Sequence, residues 1–252
     1  MDYIKVMGVK IHNTTLDKSL NKVKGFINNE KTNTIYTPNT EIVMKASENP
    51  NLRKIINRGD LVIPDGIGIV YASRIRKKPL AERVTGFDLS IKMLELANEL
   101  GLKLFIVGGK EGVALDASKN INKDYPNIKV VGTNHGFFKG AHIGYENHNE
   151  EKKVLDKINK EESDILFVGL GAPKQEIWID KNKDKLNTKV IIGNGGTIDI
   201  LAGNVERAPE IFQNIGLEWL YRLMKEPKRI KRQLILPLFA FKVIFSKDKI
   251  VE

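Results

Sequence analysis

The stretch that decides the fold is Ile165-Leu166-Phe167-Val168-Gly169-Leu170-Gly171-Ala172-Pro173-Lys174-Gln175-Glu176. Four apolar residues lead into a glycine turn, and Pro173 stands where its fixed φ suits the first turn of a helix. A short buried strand followed by a tight turn and a helix is one unit of a parallel sheet covered by helices. Backbone N–H groups and the positive end of the helix then face the ligand side of that sheet.

The same alternation of short apolar runs with longer amphipathic runs extends in both directions along the chain. The predicted strands are residues 5–11, 33–36, 61–63, 103–107, 129–132, 165–168 and 189–192. Helices are predicted where apolar residues recur at helical spacing, as at Leu16, Leu20, Val23 and Ile27 and within 87–100. Residues 140–153 predict a polar loop leading into a helix. We therefore expect the α/β class, with a Rossmann-like parallel sheet flanked by helices.

Composition limits the kinds of partner and site. The formal charge of +10 over 252 residues indicates an anionic partner, which is a nucleic acid, a phosphate-bearing substrate or a membrane surface. The absence of cysteine excludes disulfides, thiolate metal sites and cysteine nucleophiles. Residues 1–11 carry no secretory signal, and no apolar stretch approaches the roughly 18 to 20 residues of a spanning helix. We expect a cytosolic protein that does not cross a membrane.

The C-terminal part differs in composition from the rest of the chain. Residues 222–232 hold the cations Arg222, Lys225, Lys228, Arg229, Lys231 and Arg232 and one anion, Glu226. An apolar stretch follows at 234–245, interrupted by Pro237 and Lys242. This pattern is typical of a helix lying in the headgroup region of a membrane, although a core or oligomer helix and nucleic-acid binding stay open. We predict a core at 1–196 and a helical appendage at 197–252 that docks on the membrane and completes the active site. Its exposed apolar residues favour self-association.

Polar residues follow several of the predicted strands, at the sheet edge where ligands of such folds bind. Thr37 and Asn39 either cap a helix or contact a polar ligand. Asp65, beside Gly66 and Gly68, is the leading candidate for a general base, with a structural turn as the alternative. Arg83 is interpreted either as a clamp for a phosphate or carboxylate or as an ion-pair partner.

Two glycine turns complete the candidate site. The turn at Gly169 and Gly171 lacks the G-x-G-x-x-G pattern because Lys174 takes the last glycine's place, which weakens an NAD-binding interpretation. Residues 193–199 form a second glycine-rich turn, which serves close packing or contact with phosphate or uracil. The four histidines lack zinc-ligand spacing, and no Asp-x-Asp pair is present to hold a divalent ion. A diphosphate would therefore be neutralised by cations and helix N-termini.

An ordered set of motifs between about residue 37 and residue 232 resembles the WecG/TagA/CpsF family of bacterial glycosyltransferases. The matching segments are Thr37-Pro38-Asn39, Pro64-Asp65-Gly66-x-Gly68, Arg83-x-x-Gly86-x-Asp88-Leu89, Gly169-x-Gly171-x-Pro173-x-Gln175-Glu176, Gly195-Gly196-x-x-Asp199, Arg207-Ala208-Pro209 and Glu218-Trp219-x-x-Arg222-Leu223-x-x-Glu226-Pro227-x-Arg229. This sequence departs from the family at Asn194, where an apolar residue is usual, and in a longer loop at 145–150.

The resemblance implies an inverting transfer of N-acetylmannosamine from its UDP-sugar to undecaprenyl-diphosphate-linked N-acetylglucosamine, in the synthesis of the wall teichoic acid linkage unit. It implies that the reaction needs neither a metal nor another cofactor. It also implies that the protein associates with the inner face of the plasma membrane. Asp65 would be the base, while Thr37, Asn39, Arg83 and Gln175 would line the sugar and acceptor pocket. The implied substrate-binding set is completed by Gly66, Gly68, Gly171, Gly195, Gly196, Asp199, Arg222, Arg229 and Arg232, with these three arginines near the diphosphates.

Two rival functions stay open at this point. The same fold transfers other UDP-sugars, such as N-acetylmannosaminuronic acid or glucose, and a few pocket contacts decide between sugars that differ at one carbon. The second rival is a noncatalytic module that binds nucleotides or nucleic acid through its basic tail. Patterns for base reading or base stacking are not evident in the sequence, so we expect no nucleic-acid partner.

Overall fold

The computed structural model describes residues 1–227, 230, 234–245 and 251, apart from the side chains of Asn214 and Arg222. Its strands are β1 (Tyr3–Val6), β2 (Val9–His12), β3 (Asn33–Tyr36), β4 (Leu61–Val62), β5 (Lys103–Gly108), β6 (Lys129–Asn134), β7 (Ile165–Gly169) and β8 (Val190–Gly193). Strands β3 to β8 form one sheet in the order β4-β3-β8-β7-β5-β6, and each neighbouring pair is parallel. The predicted Rossmann-like sheet is confirmed, with strand ends that differ by one or two residues.

The prediction of a single strand at residues 5–11 is wrong. Strands β1 and β2 are the two arms of an antiparallel hairpin that forms a separate sheet. The turn lies at Met7 and Gly8, which both have positive φ, at 50° and 79°. Such a turn is typical of a two-residue hairpin loop. An apolar residue in the turn concealed it from a reading of hydrophobic pattern alone.

The helices are α1 (Leu16–Ile27), α2 (Thr40–Glu48), α3 (Pro50–Asn57), α4 (Ile67–Ile75), α5 (Gly86–Leu100), α6 (Val113–Asp124), α7 (Asn149–Glu161), α8 (Lys174–Asn182), α9 (Thr197–Leu201), α10 (Glu210–Asn214), α11 (Glu218–Lys225) and α12 (Ile235–Phe245). Single 3₁₀ turns occur at Ala141–Ile143 and Lys183–Lys185. The helices predicted from Leu16 and from residue 87 are confirmed as α1 and α5, and the loop at 140–153 does lead into a helix.

The core consists of two apolar layers, one on each face of the sheet. Side chains alternate between the faces along every strand, so Ile35 and Tyr36 enter different layers. Helices α1, α5, α6 and α9 cover one face, and α2, α3, α7, α8 and α12 contribute to the other. This arrangement leaves the carboxyl ends of the parallel strands at one edge, with the polar segments that follow them.

Helix α12 packs on the core layer that α2 and α3 also cover. It packs against α2 and α4, and Phe239 and Val243 are its buried side chains. Val251 forms an isolated antiparallel bridge with Val6. Within the described residues, every helix is too short or too polar to cross a bilayer. The proposed boundary between a core and an appendage at residue 196 stays a prediction.

Candidate active site

A cavity of about 820 Å³ lies at the carboxyl edge of the sheet. The segments that follow β3, β4, β7 and β8 meet there, and α4, α11 and α12 supply further walls. The structure brings ten of the predicted residues together in its lining: Thr37, Asn39, Asp65, Gly66, Gly68, Arg83, Gly171, Gln175, Gly195 and Gly196. A pocket of this size, with polar groups converging on part of an otherwise apolar wall, suits a small-molecule substrate.

Asp65 lies directly beyond β4 with a half-buried carboxylate. Its Oδ1 accepts a hydrogen bond of 3.0 Å from the backbone N–H of Gly86, the first residue of α5. This hydrogen bond from the N-terminal end of α5 orients the carboxylate. Asp65 thus presents an oriented carboxylate to the cavity, which is the geometry that a general base requires.

Arg83 connects the Asp65 segment to α11. Its Nε donates to the backbone oxygen of Asp65 at 2.9 Å, and its Nη2 pairs with Oε1 of Glu218 at 3.2 Å. The two side chains of this ion pair are only 19% and 11% exposed, so water screens it less than a surface pair. The guanidinium therefore fixes the loop that carries the candidate base, while its side chain also lines the cavity.

Thr37 and Asn39 contribute to the wall and to local structure at once. The buried Thr37 hydroxyl donates to the backbone oxygen of Gly193 at 2.8 Å and thereby joins the ends of β3 and β8. Asn39 is the N-cap of α2, and its Oδ1 accepts from the N–H of Ile42 at 3.1 Å. The capping turn is confirmed, and it holds both residues at the cavity.

The glycines bring backbone segments close together. A Cβ atom added at Gly66 would lie 2.9 Å from the backbone nitrogen of Thr40, and one at Gly68 would lie 2.6 Å from the Thr40 hydroxyl. Gly171 has a φ of 74°, which L side chains rarely adopt. Gly66 and Gly68 thus allow α2 and α4 to begin side by side at the cavity.

Gln175 is buried between the two glycine turns. Its Oε1 accepts from the N–H of Gly195 at 3.1 Å, and its Nε2 donates to Oε1 of Glu176 at 3.0 Å. The two partners have opposite hydrogen-bonding character, and together they fix the orientation of the Gln175 amide. The other carboxyl oxygen of Glu176 is buried without a hydrogen-bond partner among the described residues. Burial raises the pKa of this carboxyl to about 7.

Several contributors to the site escaped the sequence reasoning. Asn194 lines the cavity with its Oδ1 buried and unpaired within the described part of the chain. Glu218 and Glu176 act through contacts with Arg83 and Gln175 that depend on the folded chain. Arg74 on α4 also lines the cavity. A signal for Arg74 was present, since it stands three residues after Tyr71, a helical spacing.

Some predicted residues lie elsewhere. Asp199 belongs to the first turn of α9 and is not part of the cavity lining. Arg222 is in α11, but its side chain, together with Arg229 and Arg232, lies outside the described residues. The roles of these three arginines therefore stay predictions. Among residues that the structure describes, no cluster of three His, Asp or Glu side chains is placed to hold a metal ion.

Comparison with known proteins identifies the family. Residues 4–250 match a sequence model described as the glycosyl transferase WecG/TagA/CpsF family. Relatives from Staphylococcus aureus strains MRSA252, MW2 and NCTC 8325 are 34% identical over 249 residues, which is 98% of this chain and 94% of each relative. Each is named N-acetylglucosaminyldiphosphoundecaprenol N-acetyl-beta-D-mannosaminyltransferase. The chain therefore belongs to the WecG/TagA/CpsF family and is a glycosyltransferase.

Proposed function

We propose that this enzyme transfers N-acetylmannosamine from UDP-N-acetylmannosamine to undecaprenyl-diphosphate-linked N-acetylglucosamine, with inversion and without a metal ion. The names of the relatives support the acceptor and the sugar. The observation that carries the proposal is the Asp65 carboxylate, which faces the cavity while Gly86 and Arg83 hold its loop. Because the acceptor is a lipid, the enzyme works at the inner face of the plasma membrane.

In the proposed reaction, Asp65 takes the proton from the acceptor hydroxyl as its oxygen attacks the anomeric carbon. The new C–O bond forms on the face opposite the bond to the departing diphosphate, so the configuration inverts and UDP leaves. The N-terminal end of α8, preceded by Gly171 and Ala172 in the cavity wall, places positive potential beside the donor. Stabilisation by fixed dipoles and cations replaces a metal ion in this scheme.

The test measures release of UDP by purified enzyme with a lipid-diphosphate-N-acetylglucosamine acceptor. UDP-N-acetylmannosamine, UDP-N-acetylglucosamine and UDP-glucose are presented separately, each with and without EDTA. We expect acceptor-dependent release from UDP-N-acetylmannosamine that persists in EDTA, and a product whose anomeric configuration is inverted by NMR. Release only from another donor would refute the assigned sugar, and loss of release in EDTA would refute the metal-independent step.

Asp65→Asn tests the role of the base. The amide keeps the side chain's shape and an oxygen that accepts from Gly86, but it cannot take a proton, so turnover should fall by about 10² to 10⁴. Asp60→Asn is the matched control, because Asp60 stands just before the opposite end of β4 and its carboxylate accepts from the backbone of Thr34. Turnover near that of the wild type in Asp65→Asn would remove Asp65 from the base role.

A further inference from the structure

One face of α4 leads from the centre of the cavity to its mouth. Tyr71 follows Gly68 by three residues, and Arg74 and Ile75 follow Tyr71 by three and four, so these residues lie along one side of the helix. All four line the cavity. Tyr71 and Ile75 are 48% and 53% exposed, which marks the outer part of this side as apolar surface open to a ligand.

Helix α12 forms a second wall of the same cavity. Its residues Ile235, Leu236, Phe239, Ala240 and Val243 line the same cavity. The helix packs against α4, with the side chains of Phe239 and Val243 buried. The two helices therefore enclose an apolar groove that is continuous with the polar centre around Asp65. We call the cavity-lining residues of α4 from Gly68 to Ile75 and of α12 from Ile235 to Val243 the α4–α12 groove.

Arg74 is the cation of this groove. In the described part of the chain, its exposed guanidinium makes no ion pair or side-chain hydrogen bond, whereas Arg83 in the same cavity lining pairs with Glu218. Arg74 therefore has donors available for an anion. At 1.5 Å per residue, it lies on the order of 10 Å along the helix from Ile67, near Asp65. That distance is comparable with the reach of a sugar ring followed by a phosphate group.

We propose that the α4–α12 groove binds the prenyl diphosphate part of the acceptor lipid. Arg74 contacts the diphosphate, and the first isoprene units lie between Tyr71 and Ile75 on one side and α12 on the other. A guanidinium followed by apolar walls complements an anionic head followed by hydrocarbon, and it does not complement the polar uridine of the donor. The inference rests on the proposed function for the identity of the acceptor, but the binding itself can be measured without the reaction.

The experiment measures binding of farnesyl diphosphate, UDP and inorganic pyrophosphate by isothermal titration calorimetry to the full-length protein. Arg74→Gln should weaken farnesyl diphosphate binding by about tenfold, as expected for loss of a charge-assisted contact, and leave UDP binding unchanged. Tyr71→Ser should weaken farnesyl diphosphate and leave pyrophosphate unchanged. The matched control is Lys78→Gln, which removes an exposed charge beyond the same end of α4 but outside the cavity lining.

Three results would overturn this inference. They are an absence of farnesyl diphosphate binding by the wild type, an equal loss in Arg74→Gln and Lys78→Gln, or a loss of UDP binding in Arg74→Gln as large as that of farnesyl diphosphate. Failure of the proposed function gives a different result. In that case the wild type would bind farnesyl diphosphate through Arg74 and yet transfer no N-acetylmannosamine.

Discussion

Replacing Glu176 by Gln should stabilise the protein at neutral and alkaline pH. The carboxyl of Glu176 is completely buried, and one of its oxygens has no hydrogen-bond partner within the described residues. Burial raises its pKa from an ordinary value of 4.5 to about 7, because the charged form loses its hydration. Gln is nearly isosteric with the neutral acid, and its carbonyl can still accept from Gln175.

The size of the effect follows from the difference between the two pKa values. A pKa of about 7 in the folded state, against 4.5 otherwise, corresponds to about 3 kcal/mol, since each pH unit of difference is worth about 1.4 kcal/mol. Between pH 4.5 and 7 the folded protein holds a proton that the unfolded chain has released, so stability falls as pH rises through this window. The Gln variant has no such proton. Its advantage should be near zero below pH 4.5 and approach about 3 kcal/mol above pH 7.

The assay is urea unfolding at several values between pH 5 and pH 8, followed by tryptophan fluorescence. Trp178 is fully buried on the same helix and is a suitable reporter. His12, whose pKa burial lowers to about 4, gives the opposite slope between about pH 4 and 6.5. That contribution is common to both proteins and cancels in the difference. A difference between Glu176→Gln and the wild type that stays constant from pH 5 to 8 would refute the reasoning.

A second buried glutamate provides the matched control. Glu151 is also buried, but its carboxylate accepts hydrogen bonds from the backbone of Ala141 and Asn147 and from the Asn182 amide. Glu151→Gln replaces an acceptor by an N–H group that faces donors, so it should cost about 1 to 3 kcal/mol of stability. The two substitutions are chemically identical and should act in opposite directions at pH 8. The same sign for both would contradict the assigned contacts.

Two further substitutions test how the cavity is built. Thr37→Val should leave the oxygen of Gly193 without the Thr37 hydroxyl, lower the free energy of unfolding by about 1 to 3 kcal/mol and reduce turnover. Thr37→Ser keeps a hydroxyl and should restore both. Equal stabilities of Thr37→Val and the wild type in denaturant titrations would contradict the contact. Gly68→Ala should reduce UDP release at least about tenfold, because the new methyl group displaces Thr40, a geometric shift of the kind that misplaces a substrate. Gly25→Ala on α1, where a Cβ meets nothing within 4 Å, should instead stabilise the protein by about 0.5 to 1 kcal/mol and leave UDP release unchanged. An equal loss of UDP release in both alanine variants would refute the steric argument.

Much of the fold could be predicted because the local patterns are strong. Strands β7 and β8, for example, are short apolar runs that end in a glycine, as Val168 leads into Gly169. The hairpin at Met7 and Gly8 was missed because the apolar Met7 lies between Val6 and Val9 and hides the shift in alternation between the two strands. Local pattern reports which residues face the core, and it does not report where the chain reverses.

The site could be predicted only in part, for a physical reason. Thr37, Asp65 and Gln175 are polar residues near strand ends, and parallel strands place their carboxyl ends at a common edge. The groups that orient them come from distant positions. Glu218 is 135 residues from Arg83, and Gly193 is 156 residues from Thr37. Such partners depend on which strands become neighbours, and a single sequence does not specify that order.

The packing of α12 on α2 and α4 influences how tightly a ligand binds in the cavity beside Asp65. Because this helix forms one wall of the cavity, a ligand that touches both walls adds its own binding free energy to the packing of α12 on α2 and α4. Thermodynamic reciprocity then requires that loosening this packing raises the apparent Kd of the ligand. Affinity for a bridging substrate is consequently shared between the residues it touches and the residues, such as Phe239 and Val243, that hold the wall in place. A ligand that touches both walls therefore helps to assemble its own binding site.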